Sequence, residues 1–275
     1  MARPSFGALL SASCLIASSA LVAAPACAQT DFYNTDRGRP LETEDALVVE
    51  RRALELQLAP LTRTRVSRGV TAWTVAPELA WGLAPRTQLE LALPVSTTET
   101  PASGTSSALA GIEVEVLHAL NAETMSLPAF ALGAGVHLPA GGAGPERATG
   151  VLRALATRTF AWGRMHLNGS SRLGTSDDAL DPQWSAGLAV DRTFVLRSLL
   201  VGAELVARDV ARAAVAPGSD QRVAWQAGVG VRHQLNPRLA GDLGVRRTLS
   251  AGESQWTVTA GAAYAFAMPS RGEAR

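Results

Sequence analysis

Residues 223–232 read Val-Ala-Trp-Gln-Ala-Gly-Val-Gly-Val-Arg, and in this stretch Val223, Trp225, Ala227, Val229 and Val231 alternate with Gln226 and Arg232. Successive side chains of an extended chain leave opposite faces. A period of two therefore predicts a strand with one apolar and one polar side. The same rhythm recurs upstream. Leu54, Leu56 and Leu58 alternate with Glu55 and Gln57; Leu89, Leu91 and Leu93 with Gln88 and Glu90; Ile112, Val114 and Val116 with Glu113 and Glu115; and Trp184, Ala186, Leu188 and Val190 with Ser185, Gly187 and Asp191. No apolar stripe at helical spacing is sustained. Asp36 to Arg52 is the one place where a short helical turn is left open.

Taken together, the pattern predicts an all-β chain of about 12 strands, each about ten residues long, the length a tilted strand needs to cross a bilayer. They fall near 51–61, 71–81, 87–96, 108–118, 127–138, 149–160, 164–174, 183–192, 198–209, 222–232, 239–248 and 255–267. Arg158 and Arg247 sit poorly on the apolar faces of the sixth and eleventh. The connections alternate in length. Gly82 to Arg86, Trp162-Gly163, Asp191 to Arg197 and Leu235 to Arg238 are short; Thr62 to Val70, Thr97 to Ser107, Pro139 to Ala148, Thr175 to Pro182, Val210 to Gln221 and Ser250 to Ser254 are longer and polar. Tight turns at one end and longer loops at the other are the plan of an antiparallel up-and-down transmembrane barrel, with both termini on the periplasmic, short-turn side.

The chain ends agree with this plan. Arg3, an uncharged run from Ala8 to Ala24 and the small-residue site Ala26-Cys27-Ala28 have the order of a secretory signal peptide over residues 1–28. A lipoprotein reading through Cys27 suffers from Ala24-Pro25 before it. Cys14 and Cys27 both fall in this segment, so the exported chain is expected to lack disulfides and thiolate chemistry. All 25 basic residues are Arg; without Arg3 they balance the 24 acidic ones, and no field is left to attract nucleic acid. No run of ~20 apolar residues suggests a membrane helix. Residues 29–50 are polar and acidic, either a periplasmic lead-in or a plug that enters the barrel. The barrel is expected over 51–267 and a tail over 268–275.

A soluble sandwich or lipocalin-like barrel also alternates. Three features point to lipid instead: an apolar face containing many Ala and Gly, charges on nearly every strand of the other face, and Trp73, Trp81, Trp162, Trp184, Trp225 and Trp256 near strand ends, where membrane interfaces favour aromatics.

In the last strand, Thr259, Gly261, Tyr264 and Phe266 stand in a pattern that resembles the C-terminal signal read by the outer-membrane barrel-assembly machinery, although nine residues follow Phe266. Two further segments resemble a family of outer-membrane transporters named after phenol-degradation operons. They are Arg39-Pro40-Leu41-Glu42-Thr43-Glu44-Asp45-Ala46, with Glu50-Arg51 and Leu54 to Leu61 after it, and Pro77 to Glu90. The resemblance is clear over about residues 35–95 and general beyond. It implies a barrel of about twelve strands in the cell outer membrane, a channel or transporter for small solutes, hydrophobic or aromatic compounds among them, and names no solute.

With the apolar positions facing lipid, the lumen is expected to be lined by Glu55, Gln57, Glu78, Gln88, Glu90, Glu113 and Glu115 on an acidic wall. Opposite them stand His166, Arg172, Asp191, Glu204, Arg208, Arg232, Asp242 and Arg246 on a wall richer in Arg. Opposed charges across a pore orient polar or zwitterionic solutes; the competing reading is an ion-pair network that fills the lumen. Two other classes stand beside the channel. One is a non-conducting structural or docking barrel. The other is an outer-membrane hydrolase built on His166 and Ser170, which point the same way but have no acidic partner or Gly-x-Ser-x-Gly elbow in the sequence around them. His118, His137, His166 and His233 lack metal-ligand spacing, and no metal or cofactor is expected.

Overall fold

The computed structural model describes residues 34–58, 61–67, 69–101, 104–174, 183–194, 198–209, 223–249 and 255–267. The expected signal peptide at 1–28 and tail at 268–275 lie outside them.

Twelve antiparallel strands close on themselves. β1 runs Ala53–Gln57 and continues as Leu61–Ser67; β2 is Val70–Val75 and Glu78–Ala84; β3 is Thr87–Ala92 and Val95–Thr100; β4 is Gly104–Leu109 and Ile112–Asn121. Then follow β5 (Ala129–Leu138), β6 (Thr149–Phe160), β7 (Gly163–Leu173), β8 (Trp184–Phe194), β9 (Leu199–Asp209), β10 (Val223–Asn236), β11 (Leu239–Thr248) and β12 (Trp256–Ala267). Each strand pairs with its sequence neighbours, and β12 returns to β1, with Leu54 opposite Phe266 and Thr62 opposite Thr259. Closure removes the unpaired edges that a sheet in lipid cannot tolerate. Among the described residues no helix is long and apolar enough to cross a membrane.

The interruptions in β2, β3 and β4 fall at Pro77, Pro94 and Gly111. Proline cannot donate to the ladder. The neighbouring strands stitch across the break through Leu93 N–H to the Pro77 carbonyl (3.0 Å) and Ala110 N–H to the Pro94 carbonyl (2.7 Å). Beyond this crease the first four strands run on. The stretches expected as long loops, Thr62 to Val70 and Thr97 to Ser107, are mostly strand closed by tight hairpins. In 97–107 Thr and Ser occupy both faces and erase the alternation, and in 62–65 Arg63 and Arg65 stand where apolar side chains would mark the outer face, yet β-branched Thr favours extended backbone.

The outer face carries exposed Leu, Val and aromatic side chains on every strand, among them Leu79, Leu91, Val116, Leu132, Leu152, Leu188, Val229, Leu243 and Val258. Phe160 stacks on Trp162 at the tight-turn end, with ring centroids 5.3 Å apart. Trp184, Trp225 and Trp256 stand at the other end. The two poorly fitting arginines are resolved by their surroundings. Arg158 donates to the Thr124 and Met125 carbonyls of the β4–β5 turn, and Arg247 lies over the Trp256 ring. One expectation is corrected: most of the small residues do not face outward. Ala80, Ala92, Ala119, Ala129, Ala131, Ala189, Ala240 and Ala263 are buried, and with Gly202, Gly230 and Gly244 they face the interior. Their small size leaves a bore that wall side chains alone do not fill.

Candidate functional site: a lumen occupied by the N-terminal segment

Residues 34–50 lie inside the barrel. Of the two readings open for this segment, the lead-in gives way to the plug over the part described. It forms no helix. Its backbone is irregular, so its polar groups must find partners on the wall. Asp45 N–H bonds the Thr35 carbonyl and folds the segment back on itself. Glu42 N–H and Thr43 N–H both donate to the Glu204 carboxylate at 2.9 Å, as does the Thr43 hydroxyl. Ala46 N–H donates to Thr157 Oγ1 (2.9 Å) and Val49 N–H to Gln88 Oε1 (2.6 Å).

The charges of the segment are ordered to match the wall. Arg37 meets Glu113 (3.0 Å) and Glu115 (3.6 Å). Arg39, fully buried, meets Asp242 (3.2 Å), Glu55 (3.8 Å) and Asp36. Its acids go to the basic side: Asp36 to Arg232 (2.6 Å), Glu44 to Arg153 (2.7 Å), Asp45 to Arg164 (3.4 Å), and Glu42 to Arg246 and Arg208. Removing one partner of a buried pair costs ~3–5 kcal/mol when water cannot replace it. In a lumen that water can flood, the charges are re-solvated as the segment leaves, so this mode of attachment is more easily reversed than apolar packing.

Glycines make the seat. Gly202, Gly230 and Gly244 stand side by side across β9, β10 and β11, Gly230 paired with both others. A Cβ on Gly230 would lie 2.6 Å from Pro40 Cβ, one on Gly202 would lie 2.9 Å from Leu41, and one on Gly244 would strike the Pro40 carbonyl. Gly187 faces Thr43 in the same way.

All fifteen expected lumen residues point inward, and most of them meet the segment or one another. Gln57 donates to Glu55, and Gln88 to Glu90. Glu78 borders the same acidic wall. Arg208 donates to Gln226 (2.9 Å), and Arg172 reaches Thr149 (3.4 Å). His166 is fully buried between Thr157 Oγ1 and Asp191 Oδ2, 3.0 Å from each. The acidic partner missing from the local sequence is therefore Asp191, on the adjacent strand. Ser170 bonds Ser185 (2.7 Å), and no hydrogen bond links it to His166. The wall residues overlooked in the sequence are Arg153 and Arg164; both sit at inward positions, and extending the alternation through β6 and β7 would have found them. Among the described residues no His, Asp and Glu cluster has the arrangement of a metal site.

On the loop side of the segment lies a cavity of about 180 Å³, open to solvent, lined by Arg37, Glu42, Glu44, Arg153, Arg172 and Arg208 among others. Burial pushes the Glu44 carboxyl up to about 8; Arg153 and Arg37 oppose this, while the like charges of Glu90 and Glu115 reinforce it. A carboxyl whose folded value is raised contributes docking energy that is complete below its ordinary range and is lost as pH rises through 8. Glu42 behaves oppositely. Burial raises it, but Arg246, Arg208 and Arg37 together outweigh burial and hold it low, so its contribution is lost only in acid. A nitroxide at Leu47→Cys should therefore become several-fold more mobile between pH 6 and pH 9 in electron paramagnetic resonance spectra. Glu44→Gln should flatten that rise. A spectrum indifferent to pH would remove Glu44 as the cause.

No protein-family model and no curated protein matches the chain. Among solved structures, an outer-membrane channel from Pseudomonas putida F1 matches 78% of this chain and 94% of its own length, with a TM-score of 0.53 and 13% identity. The KdgM porin (78% and 99% covered, TM-score 0.46, 12% identity) and the outer-membrane phospholipase A of Escherichia coli (85% and 95%, 0.42, 9%) are also similar. At such identities the likeness is one of fold.

Proposed function

We propose that the chain is an outer-membrane channel or transporter for small solutes, closed at rest by its own residues 34–50. One observation carries this reading. The bore is filled by a segment attached through ion pairs and seated on glycines, rather than by wall side chains. A barrel that needed only to be solid would be packed from its own strands. The apolar exterior with aromatics near both rims fits a lipid belt. The similarity to a structure described as an outer-membrane channel supports the same reading, and so does the resemblance of residues 35–95 to the phenol-operon transporters. Within it, residues 1–28 direct export, the tight-turn end faces the periplasm, and Thr259, Gly261, Tyr264 and Phe266 serve the assembly machinery. Thr259 and Gly261 face inward on β12, and the Thr259 hydroxyl donates to the Gly38 carbonyl; Tyr264 and Phe266 face outward.

The density of the ion-pair network favours one rival, a barrel that never conducts. Single-channel recording of the refolded chain beside a Glu90→Gln, Glu113→Gln double variant separates them. The channel reading expects brief openings in the parent. The variant, which loses the closest partner of Arg37, should open more often and with selectivity shifted several-fold toward anions. Protein that inserts and stays silent at every voltage, in both forms, would sink the channel and leave the structural barrel.

A further inference from the structure

We infer that the cavity on the loop side of the segment binds a small zwitterion, an amino-acid-like solute carrying a carboxylate and a hydrogen-bond-donating cation. The inference deepens the channel reading and rests on it for the route by which the solute arrives. The barrel contributes Arg153, Arg172, Arg208 and Asn168 to the cavity wall; the segment contributes Arg37, Glu42 and Glu44. Three buried atoms in this wall have no hydrogen-bond partner among the described residues: Nη2 of Arg153, Nε of Arg208 and Oδ1 of Asn168. The Arg153 side chain is only 5% exposed, and its other nitrogens are committed to Glu44 and Glu115. Buried polar atoms are normally paired, so three unpartnered ones around one cavity mark a place able to take a polar solute. The other unpartnered charged groups of the lumen, on Arg39, Arg232, Asp242 and Arg246, do not line this cavity.

The chemistry of the wall selects both ends of the solute. The guanidinium donors of Arg153 and Arg208 ask for a carboxylate. The Asn168 oxygen and the Glu42 carboxylate ask for a cationic donor. A simple anion would face the Glu42 carboxylate across the cavity, and a simple cation would face the four arginines Arg37, Arg153, Arg172 and Arg208. A molecule with both charges satisfies each side without exposing either to its like.

Isothermal titration of the refolded chain in detergent with L-glutamine, acetate and methylammonium tests this. L-Glutamine should bind saturably and at least about tenfold more tightly than either singly charged probe. Arg208→Gln and Asn168→Leu should each weaken it about tenfold or more. Asn168→Leu should leave the melting temperature unchanged, because the Oδ1 atom it removes has no partner in the fold. Absence of saturable L-glutamine binding would overturn the inference; so would equal affinity for the singly charged probes, or folded variants that bind as the parent does. The titration needs no bilayer, so it fails separately from the channel reading. A chain that binds but never conducts sinks the channel and keeps the site, and one that conducts without binding does the reverse.

Discussion

A chain carrying Thr43→Cys and Gly187→Cys should fall electrically silent when oxidised and conduct again when reduced. A Cβ placed on Gly187 lies 3.7 Å from Thr43 Cβ, close to the separation of about 3.8 Å that a disulfide prefers. The bond would tie the middle of the segment to β8 with little movement of either. With Cys14 and Cys27 replaced, no other thiol competes. Thr43→Cys gives up the hydroxyl bond to Glu204, but the two backbone N–H bonds to that carboxylate stay. The Cβ added at Gly187 meets only the end of the Thr43 side chain, 2.7 Å from Oγ1, which can turn away where a backbone carbonyl cannot, so docking should survive the substitutions themselves. Open probability in the oxidised form should drop at least about tenfold below that of the reduced form, since a covalent tie shifts the docked population far beyond what ion pairs achieve. Thr43→Cys alone should be insensitive to reductant. Equal conductance before and after reduction, with the cross-link verified by mass, would mean that ions pass by a route the segment does not control.

How far this architecture could be read without coordinates depends on which residues obey a period. Leu54 to Leu58 and Val223 to Arg232 announce their strands because one face meets an apolar surround and the other a polar lumen. The fifteen lumen candidates follow from the same parity, because a strand cannot turn one side chain without turning them all. Thr97 to Ser107 escaped, since beyond the crease at Pro94 neither face alternates. Ala186 and Ala227 face outward with the apolar set they alternate in, but most of the other small residues face the interior. Gly230 and Gly244 look like interchangeable apolar positions in sequence, and only the segment lying on them explains why the inward side needs to be small. The segment itself has irregular backbone and no period. Its one legible trait is charge order, Arg37 and Arg39 followed by Glu42, Glu44 and Asp45, and that order becomes meaningful only against a wall that is acidic on β1–β4 and richer in arginine on β6–β11. His166 shows the same limit. Asp191 is 25 residues away in sequence and 3.0 Å away across the β7–β8 ladder.

Filling the glycine seat should open the barrel without unfolding it, and Gly244→Val is the sharpest way to do so. The new Cβ would strike the Pro40 carbonyl and come within 2.7 Å of Thr259 Cγ2. The threonine can turn its methyl away. The Pro40 carbonyl belongs to a segment fixed on both sides, by Arg39 to Asp242 and by the Glu42 and Thr43 amides to Glu204. Valine itself suits a strand, and the Val245 and Leu243 neighbours already face outward, so the wall should hold. Overpacking of this kind costs about 1–3 kcal/mol, and here the strain is relieved by letting the segment go. Every ~1.4 kcal/mol is a factor of ten in a population, so open probability should rise about tenfold, and a nitroxide at Leu47→Cys should become mobile at neutral pH. Gly241→Val, on the same strand, is the control. It faces away from the lumen, and its Cβ would meet nothing nearer than 3.9 Å, so it should conduct as the parent does. If Gly244→Val keeps the parent's conductance and a rigid label, Pro40 does not hold its place through that glycine. The seat would then be a consequence of the docked segment rather than its cause.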